Sequence, residues 1–344
     1  MALTLRHSPS LVSNNLSSAV FGDRGGFRLC YVHKDELIIV ESKTGSGFER
    51  TVKLDLKNTQ VFCASFVGFA GGGGGRGISS GKYLAPPAEY LVLCSNQGAQ
   101  LWSVDGERME WFHQLCDLLE DGTVSADAMQ LQFMRGACGF QSSLGVSCLA
   151  LGSSVGTVYV INTAGDVLHR LSTQSSAAIS ATASSARSVF CANDDGDILG
   201  FRVHDNFDTF LRMPGRGEAC TALCCKGDVV IAGFVTGHIR VIRAELGELA
   251  IELAAHSRCL TALSLFPSGG AYIASVGEDQ LLHVWSCPDF LTPSGSDMDL
   301  GFASRLEHCL CTGVSWLPDG RLLVASFDEE NLVVFNPETR ALER

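Results

Sequence analysis

One segment of the sequence has the spacing of a catalytic serine. Gly152-Ser153-Ser154-Val155-Gly156 fits the G-x-S-x-G pattern that presents a nucleophilic hydroxyl. That pattern functions at a strained turn between a strand and a helix. Here the run TVYVI, which is typical of a strand, follows at once. We therefore interpret the segment as a turn between two strands, without a catalytic role.

A glycine-rich run, GGGGGRGISSGK at 71–82, suggests a phosphate-binding loop. The Walker pattern requires a glycine five residues before its last glycine and a Ser or Thr after the lysine. Arg76 and Tyr83 stand at those two positions. The run therefore fails the pattern twice, and its composition is that of a flexible insertion.

Two groups of residues are candidate metal ligands. Asp194, Asp195 and Asp197 resemble the start of a calcium loop, but the alternating carboxylates and final glutamate of an EF-hand do not follow. Cys220 and Cys224 have the spacing of only the first half of a zinc site. We predict no metal site, no cofactor site and no catalytic site, and hence a protein that is not an enzyme.

The 14 cysteines lie mostly inside apolar runs such as LVLC and SCLAL, and no C-x-x-C pair occurs. Free cysteine behaves as a small buried apolar residue. Reduced thiols are typical of proteins in the cytoplasm, which is the compartment we predict.

Charge and hydropathy exclude two classes of partner. Asp and Glu number 37 against 25 Lys and Arg, a net charge of −12. Binding to nucleic acid depends on a basic surface, so we expect none. No apolar run approaches the ~18 residues that a membrane helix needs, so we expect no membrane insertion.

The remaining sequence is a series of short apolar runs separated by Gly, Asn, Asp or Pro, the pattern of an all-β protein. Seven segments share a tight turn followed by a strand, among them VLCSNQGAQLWSV, LALGSSVGTVYVIN and YIASVGEDQLLHVWS. Without three insertions the period is about 42 residues, which is the length of a four-stranded propeller blade.

The sixth copy contains a set of residues that can form a hydrogen-bonded relay. Ser275, Asp279 and Trp285 occur at fixed positions in IASVGEDQLLHVW, and His256 precedes them in AAHSRCLTAL. A buried indole N–H needs an acceptor, and Ser275 can accept from Trp285 while it donates to His256. The other ring nitrogen of His256 can donate to Asp279. These positions resemble the Asp–His–Ser–Trp tetrad of WD40 repeats.

The resemblance to the WD40-like β-propeller family extends along the chain. Four segments carry it: SNNLSS (13–18), QGAQLWSVDGERM (97–109), the long segment 231–263 and GEDQLLHVW (277–285). The order of these segments along the chain also resembles that in one particular family of WD repeat-containing proteins. The resemblance implies a propeller that binds other proteins. It supplies no catalytic residues.

We predict one seven-bladed WD40-like β-propeller. The predicted blades are 11–58, 59–113, 128–172, 176–213, 218–254, 258–307, and 309–336 together with 2–6. The seventh copy lacks an outer strand, and ALTLR (2–6) has no place in blade one. The N-terminal strand should therefore close the ring beside Leu332–Phe335 and cover an exposed strand edge.

The predicted insertions are 68–88, 115–127 and 287–301. The first and last should emerge on the same face, and they carry apolar residues: Tyr83, Leu84, Phe290 and Leu291. Long loops in compact domains are often functional, and buried aromatic residues dominate interface energies. We therefore regard these four residues as candidate partner-binding residues, with loops folded back over the blades as the alternative.

The sequence predicts a protein-interaction scaffold, a structural subunit of a large assembly whose partners are other proteins and not a small-molecule substrate. A cilium or flagellum, and within it the axoneme, is the more specific hypothesis because WD40-like propellers recur there. The alternative is a substrate receptor of a ubiquitin ligase or another adaptor. Such receptors carry W-D-x-R, which none of the four tryptophans matches.

Overall fold

The apolar runs of the sequence form β-strands in the structure, a computed structural model. It describes residues 3–21, 26–43, 48, 50–56, 58–69, 89–118, 131–204, 206–266, 272–287, 298–317 and 319–343. Within these ranges the chain forms 29 strands and one helix, α1, of four residues (Leu115–Leu118). No described helix has the length and apolar character needed to cross a membrane.

Each of the first three blades is an antiparallel sheet of four strands, named a to d from the inside outwards. Blade one contains β2 (Ser17–Phe21), β3 (Gly26–His33), β4 (Glu36–Ser42) and β5 (Arg50–Asp55). Blade two contains β6 (Val61–Val67), β7 (Tyr90–Ser95), β8 (Gly98–Ser103) and β9 (Met109–Gln114). Blade three contains β10 (Met134–Gln141), β11 (Ser147–Ser153), β12 (Thr157–Asn162) and β13 (Val167–Ser172).

The next three blades repeat this order. Blade four contains β14 (Ile179–Ser184), β15 (Ser188–Asn193), β16 (Ile198–Arg202) and β17 (Thr209–Met213). Blade five contains β18 (Cys220–Lys226), β19 (Val229–Phe234), β20 (His238–Arg243) and β21 (Glu248–Ala254). Blade six contains β22 (Leu260–Leu265), β23 (Tyr272–Gly277), β24 (Leu281–Ser286) and β25 (Asp299–Arg305).

Blade seven is assembled from both ends of the chain. It contains β1 (Leu3–Thr4), β26 (Leu310–Trp316), β27 (Leu322–Phe327), β28 (Asn331–Asn336) and β29 (Ala341–Glu343). The innermost strands of successive blades contact one another all the way round, from β2 through β26 and back to β2. The predicted all-β, seven-bladed propeller is therefore confirmed.

The apolar core consists of seven clusters, and each lies between two neighbouring blades. The cluster between blades seven and one includes Leu3, Leu5 and Leu16 from the N-terminal segment. A blade has two apolar faces and cannot cover both by itself, so its stability depends on the neighbour on each side.

The N-terminal strand closes the ring, as predicted from the sequence. β1 pairs antiparallel with β28, with Leu3 opposite Leu332 and Thr4 opposite Asn331. The structure differs from the prediction in one respect, because β29 pairs along the remainder of the same edge of β28. Pro337 does not prevent this pairing, since it lies in the turn before β29 and no ladder bond requires its missing N–H.

Two connections differ from the predicted insertions. Residues Leu115–Leu118, at the start of the predicted insertion 115–127, form α1, whose Leu118 carbonyl accepts a hydrogen bond of 2.8 Å from Tyr159 Oη. The predicted insertion 287–301 is shorter at its end, because Asp299 and Leu300 pair with β24 as the first residues of β25.

The strand order defines two faces of the propeller. We call the face with the a–b and c–d connections the a–b face, and the face with the d–a and b–c connections the d–a face. Insertion 68–88 leaves β6 for β7 and insertion 287–301 leaves β24 for β25, so both start on the a–b face.

Removal of residues 1–10 should lower the midpoint of thermal unfolding strongly, because Leu3 and Leu5 are buried between blades seven and one. Loss of two buried leucines corresponds to about 3 kcal/mol or more of folding free energy. A matched deletion of residues 338–344, which removes only β29, should have a smaller effect. Equal melting curves for wild type and the 1–10 deletion would contradict closure by β1.

Candidate functional site

The four residues of the predicted relay lie within hydrogen-bond distance of one another in blade six. Trp285 Nε1–H donates to Ser275 Oγ at 2.9 Å, and His256 Nε2 lies 2.9 Å from the same oxygen. His256 Nδ1 lies 2.9 Å from Asp279 Oδ1. One neutral tautomer satisfies every contact, with Nδ1–H donating to Asp279 and Nε2 accepting the Ser275 proton.

This relay connects three parts of the blade. His256 lies in the d–a connection before β22, Asp279 in the turn between β23 and β24, and Trp285 in β24. Asp279 Oδ2 also accepts from the Ser257 N–H at 2.9 Å. A Cβ at Gly277 would lie 2.9 Å from His256 Nδ1 and 3.0 Å from Asp279 Oδ1, so the relay requires a glycine there.

Burial favours the neutral form of His256 and His283. It lowers the pKa of His256 below the ordinary value even though Asp279 acts in the opposite direction. His283 stacks on His256 with ring centroids 4.8 Å apart, and burial together with His256 lowers its pKa as well. Burial opposes ionisation of Asp279, but hydrogen bonds from His256 and the Ser257 N–H hold its pKa below the usual range.

Blade five contains a charged network at the equivalent place, which sequence reasoning missed. Arg240 is only 5% exposed and contacts Glu218, in the d–a connection, and Glu252, on β21. Its guanidinium lies 4.3 Å from the centroid of the Phe234 ring. Thr236, in the b–c turn, donates to Glu218 at 2.6 Å. The network joins the same parts as the blade-six relay, but its residue types match no motif.

The serine motif forms a turn, as the following strand indicated. Ser153 is fully buried in β11, and its hydroxyl donates to the Thr157 carbonyl at 2.9 Å across the b–c turn. The Ser154 hydroxyl donates to Gln132 Oε1 at 2.5 Å. These contacts give the two hydroxyls a structural role.

Two of the three aspartates of blade four are likewise engaged within the protein. Asp194 forms an ion pair with Arg135, and Asp197 Oδ1 accepts from the Gly215 N–H at 2.7 Å. In the part of the chain that the structure describes, no group of three or more His, Cys, Asp or Glu is placed to hold a metal ion. The glycine-rich run 71–82 lies outside the described residues.

All 14 cysteines are free thiols. Burial raises the pKa of Cys148 to about 11 and that of Cys191 to about 12. Since the thiolate is the reactive form, these buried thiols are unreactive at neutral pH and serve as core residues.

The N-terminal segment enters the mouth of the central channel on the d–a face. Asn14 has a positive φ of 55°, its N–H donates to the Thr261 carbonyl at 3.0 Å, and its Nδ2 donates to the Thr221 carbonyl at 2.9 Å. The Asn15 N–H donates to the Thr312 carbonyl at 2.9 Å, and its side chain pairs with both the N–H and the carbonyl of Val32. We call residues Ser10–Leu16 the plug.

In the sequence, SNNLSS (13–18) is notable only for its resemblance to the WD40-like family. Its role at the channel mouth is visible only in the structure.

A cavity of about 390 Å³ adjoins the plug. The side of the cavity opposite the plug contacts is formed by residues of blades two to four: Phe62, Arg135, Ser180 and Thr182.

The candidate partner-binding residues named from the sequence lie outside the described residues. They are Tyr83, Leu84, Phe290 and Leu291.

Six four-stranded blades and a seventh of five strands surround a channel, and together with the His–Asp–Ser–Trp relay they define the class of the protein as a WD40-type β-propeller. Propellers of this class generally bind other proteins. The sequence model of the WDR54 family matches residues 83–327, well over half of the chain. The chain belongs to the WDR54 family.

Relatives and structural neighbours agree with this assignment. The WD repeat-containing protein 54 of Mus musculus is 28% identical over 211 residues, which are 59% of this chain and 60% of the mouse protein. The protein of that name from Homo sapiens is 26% identical over 66% of this chain and 65% of its own length. The matches thus span about 60–65% of the length of these relatives.

Among solved structures, a chain of the mitotic checkpoint complex covers 97% of this chain and 93% of itself, with a TM-score of 0.68 and 15% identity. BBS1N in complex with ARL6DN covers 97% and 96%, with a TM-score of 0.67 and 13% identity. At these identities the likeness concerns the fold alone.

Asp279→Ala should lower stability without changing the fold, because it leaves the buried His256 Nδ1–H without its acceptor. Loss of one partner in a buried polar relay costs about 1–3 kcal/mol. Asp195→Ala, in the equivalent turn of blade four, is the control and should fall within about 0.5 kcal/mol of wild type, because Asp195 is exposed. Equal melting temperatures for wild type and Asp279→Ala would show that the relay contributes nothing.

Stability should also fall as the pH is lowered below about 6.5. The pKa values of His256 and His283 are lowered in the folded protein, so the unfolded chain binds more protons in this range. The stabilising effect is complete above the unfolded pKa and is lost as the pH falls towards the folded values. Thermal unfolding between pH 7.5 and 5.5 should show a steeper loss for wild type than for His283→Phe, which keeps the stacked ring. Identical slopes would exclude His283 as a source of this pH dependence.

Proposed function

We propose that the protein is a non-enzymatic scaffold that binds other proteins as a structural subunit of a larger assembly. The observation that carries the proposal is the a–b turn of blade three, where Leu144 is 84% and Val146 40% exposed. These side chains lie between two strands of a well-packed sheet and contribute little to the core. Large exposed apolar patches are typical of interaction surfaces, and we propose that these two side chains form part of one.

The predicted insertion 68–88 begins beside β10, the strand that leads into this turn. It follows β6 of the neighbouring blade, and a Cβ on Gly139 of β10 would lie 3.0 Å from the Gly68 carbonyl and 3.2 Å from the Phe69 ring. The a–b face near blade three therefore combines an exposed apolar turn with the start of a long insertion. We include Tyr83 and Leu84 in the proposed contact surface on this ground.

The insertion of blade six supports the same face. It follows Cys287 on the a–b face, where the described residue Tyr272 is also exposed. Phe290 and Leu291 of this insertion are the further proposed contacts. Such a surface on a rigid ring suits a subunit that holds several partners in fixed positions.

We place this assembly in a cilium or flagellum as the more specific part of the proposal. It rests on the recurrence of WD40-like propellers in axonemes and transport trains, which is an argument from the fold class. Propellers of the same fold are present in the mitotic checkpoint complex and in BBS1N bound to ARL6DN, so the fold is suited to assemblies. Proximity labelling and localisation of the tagged protein test this part.

Leu144→Ser combined with Val146→Thr should reduce co-purification of partners while the melting temperature stays within about 1–2 °C of wild type, because both residues are exposed. Val167→Thr with Leu168→Ser, an exposed pair on the outer strand of the same blade, is the matched control and should retain the partners. Tyr83→Ala with Phe290→Ala extends the test to the insertions. Undiminished co-purification in both test variants would refute the proposed surface.

A further inference from the structure

The innermost strands present unpaired backbone groups to the central channel. Each pairs with its b strand along one edge only, so the N–H and carbonyl groups of the other edge point inwards and need partners. In six blades this strand also has a register shift near its start, centred on Phe62, Gly136, Ser180, Thr221, Thr261 and Thr312. A bulge of this kind redirects backbone groups and leaves its extra residue unpaired in the ladder.

The plug satisfies these groups on one half of the channel mouth. The bulge carbonyls of blades five, six and seven, Thr221, Thr261 and Thr312, all accept hydrogen bonds from Asn14 or Asn15. Asn14 Oδ1 in turn accepts from the Leu263 N–H at 3.4 Å. A carboxamide is suited to this edge because it offers a donor and an acceptor side by side.

The half formed by blades two to four receives no such segment from the described chain. We call this half, lined by Phe62, Arg135, Ser180 and Thr182, the open half. The hydroxyls of Ser180 and Thr182 are buried and have no oxygen or nitrogen partner among the described residues. Thr182 is only 9% exposed and has the Cys138 thiol beside it, which is a weak hydrogen-bonding group.

The charges and rings around the open half favour a neutral side chain. Arg135 and Asp194 both line the cavity and are paired, so their charges offset each other and this wall selects neither a cation nor an anion. An anion would meet the inward-pointing carbonyls. Phe62 stacks on Phe133 with ring centroids 4.4 Å apart, which provides an apolar wall for the rest of a peptide. The cavity volume of about 390 Å³ lies in the range of ligand sites.

We propose that the open half binds an extended segment of a partner protein by inserting an Asn or Gln side chain, in the way that the plug inserts the Asn14 side chain between the Thr221 carbonyl and the Leu263 N–H. The inserted carboxamide donates to the bulge carbonyls of blades two and four and exchanges hydrogen bonds with Ser180 and Thr182. This inference deepens the proposed scaffold function and depends on it, but it concerns the d–a face and not the turn of blade three.

A labelled hexapeptide, acetyl-Val-Ser-Asn-Asn-Leu-Ser-amide, tests the proposal by fluorescence polarisation with the full chain. Its sequence is that of residues 12–17. We expect saturable binding, weakened about tenfold in the Ser180→Ala/Thr182→Val variant and abolished by the bulkier Ser180→Leu. The double variant should keep its melting temperature, because it removes hydroxyls that have no strong partner. Thr261→Val, on the plug half, is the control: it should lower the melting temperature and leave peptide affinity unchanged.

Several outcomes would overturn the inference. The first is the absence of saturable binding of the hexapeptide. The second is that a peptide with Leu in place of both asparagines binds with the same affinity as the hexapeptide. The third is that a peptide with Arg in their place binds more tightly than the hexapeptide. Stabilisation by myo-inositol without peptide binding would assign the open half to a polyol instead. A negative peptide result with partner co-purification that still depends on Leu144 and Val146 would refute the channel site and leave the scaffold function standing.

Discussion

The architecture of this protein depends on one constraint. Each blade has two apolar faces, and both must be covered by neighbouring blades. The core is divided among seven interfaces between blades, and none of these clusters belongs to one blade alone. The ring therefore has to close, since an open ring would expose two apolar faces. Closure is carried by a very short strand, β1, and by Leu3 and Leu5, which pack between the last blade and the first.

Once the ring is closed, polar contacts hold the turns on the d–a face. Blade six uses the neutral relay from Trp285 to Asp279, whereas blade five uses Arg240 between two glutamates. Both connect the loop that enters the blade with its b–c turn. The relay requires a neutral His256, which burial provides, while the charged network stays ionised and packs its guanidinium against Phe234. The two blades thus connect the same loop and turn, one by neutral hydrogen bonds and the other by ion pairs.

The channel follows from the same geometry. Seven innermost strands cannot pair with one another around the axis, so their inner edges keep unpaired backbone groups. The plug satisfies part of this requirement in blades five to seven by means of two asparagines. The channel thus has a plugged half and an open half on the d–a face. The a–b face differs, because its exposed groups include the apolar side chains of Leu144 and Val146.

The sequence by itself determined the strands, the number of blades and the residues of the relay. Strands and turns are encoded locally, by alternation of apolar residues and by Gly, Asn and Asp at turns, and the relay residues lie within 30 positions of one another, from His256 to Trp285. The exposure of Leu144 and Val146 in the blade-three turn, in contrast, depends on how the surrounding residues pack, which the local sequence does not show.

Only the tertiary structure decided the plug, the blade-five network and the shared outer edge of blade seven. Asn14 contacts Thr221, 207 residues further along the chain, and β1 and β29 meet on β28 from opposite ends of the sequence. Such contacts depend on where closure of the ring brings distant segments, and no local pattern encodes that position. An asparagine in a loop reads as a turn residue from the sequence. It becomes a channel plug because the ring places unpaired carbonyls around it.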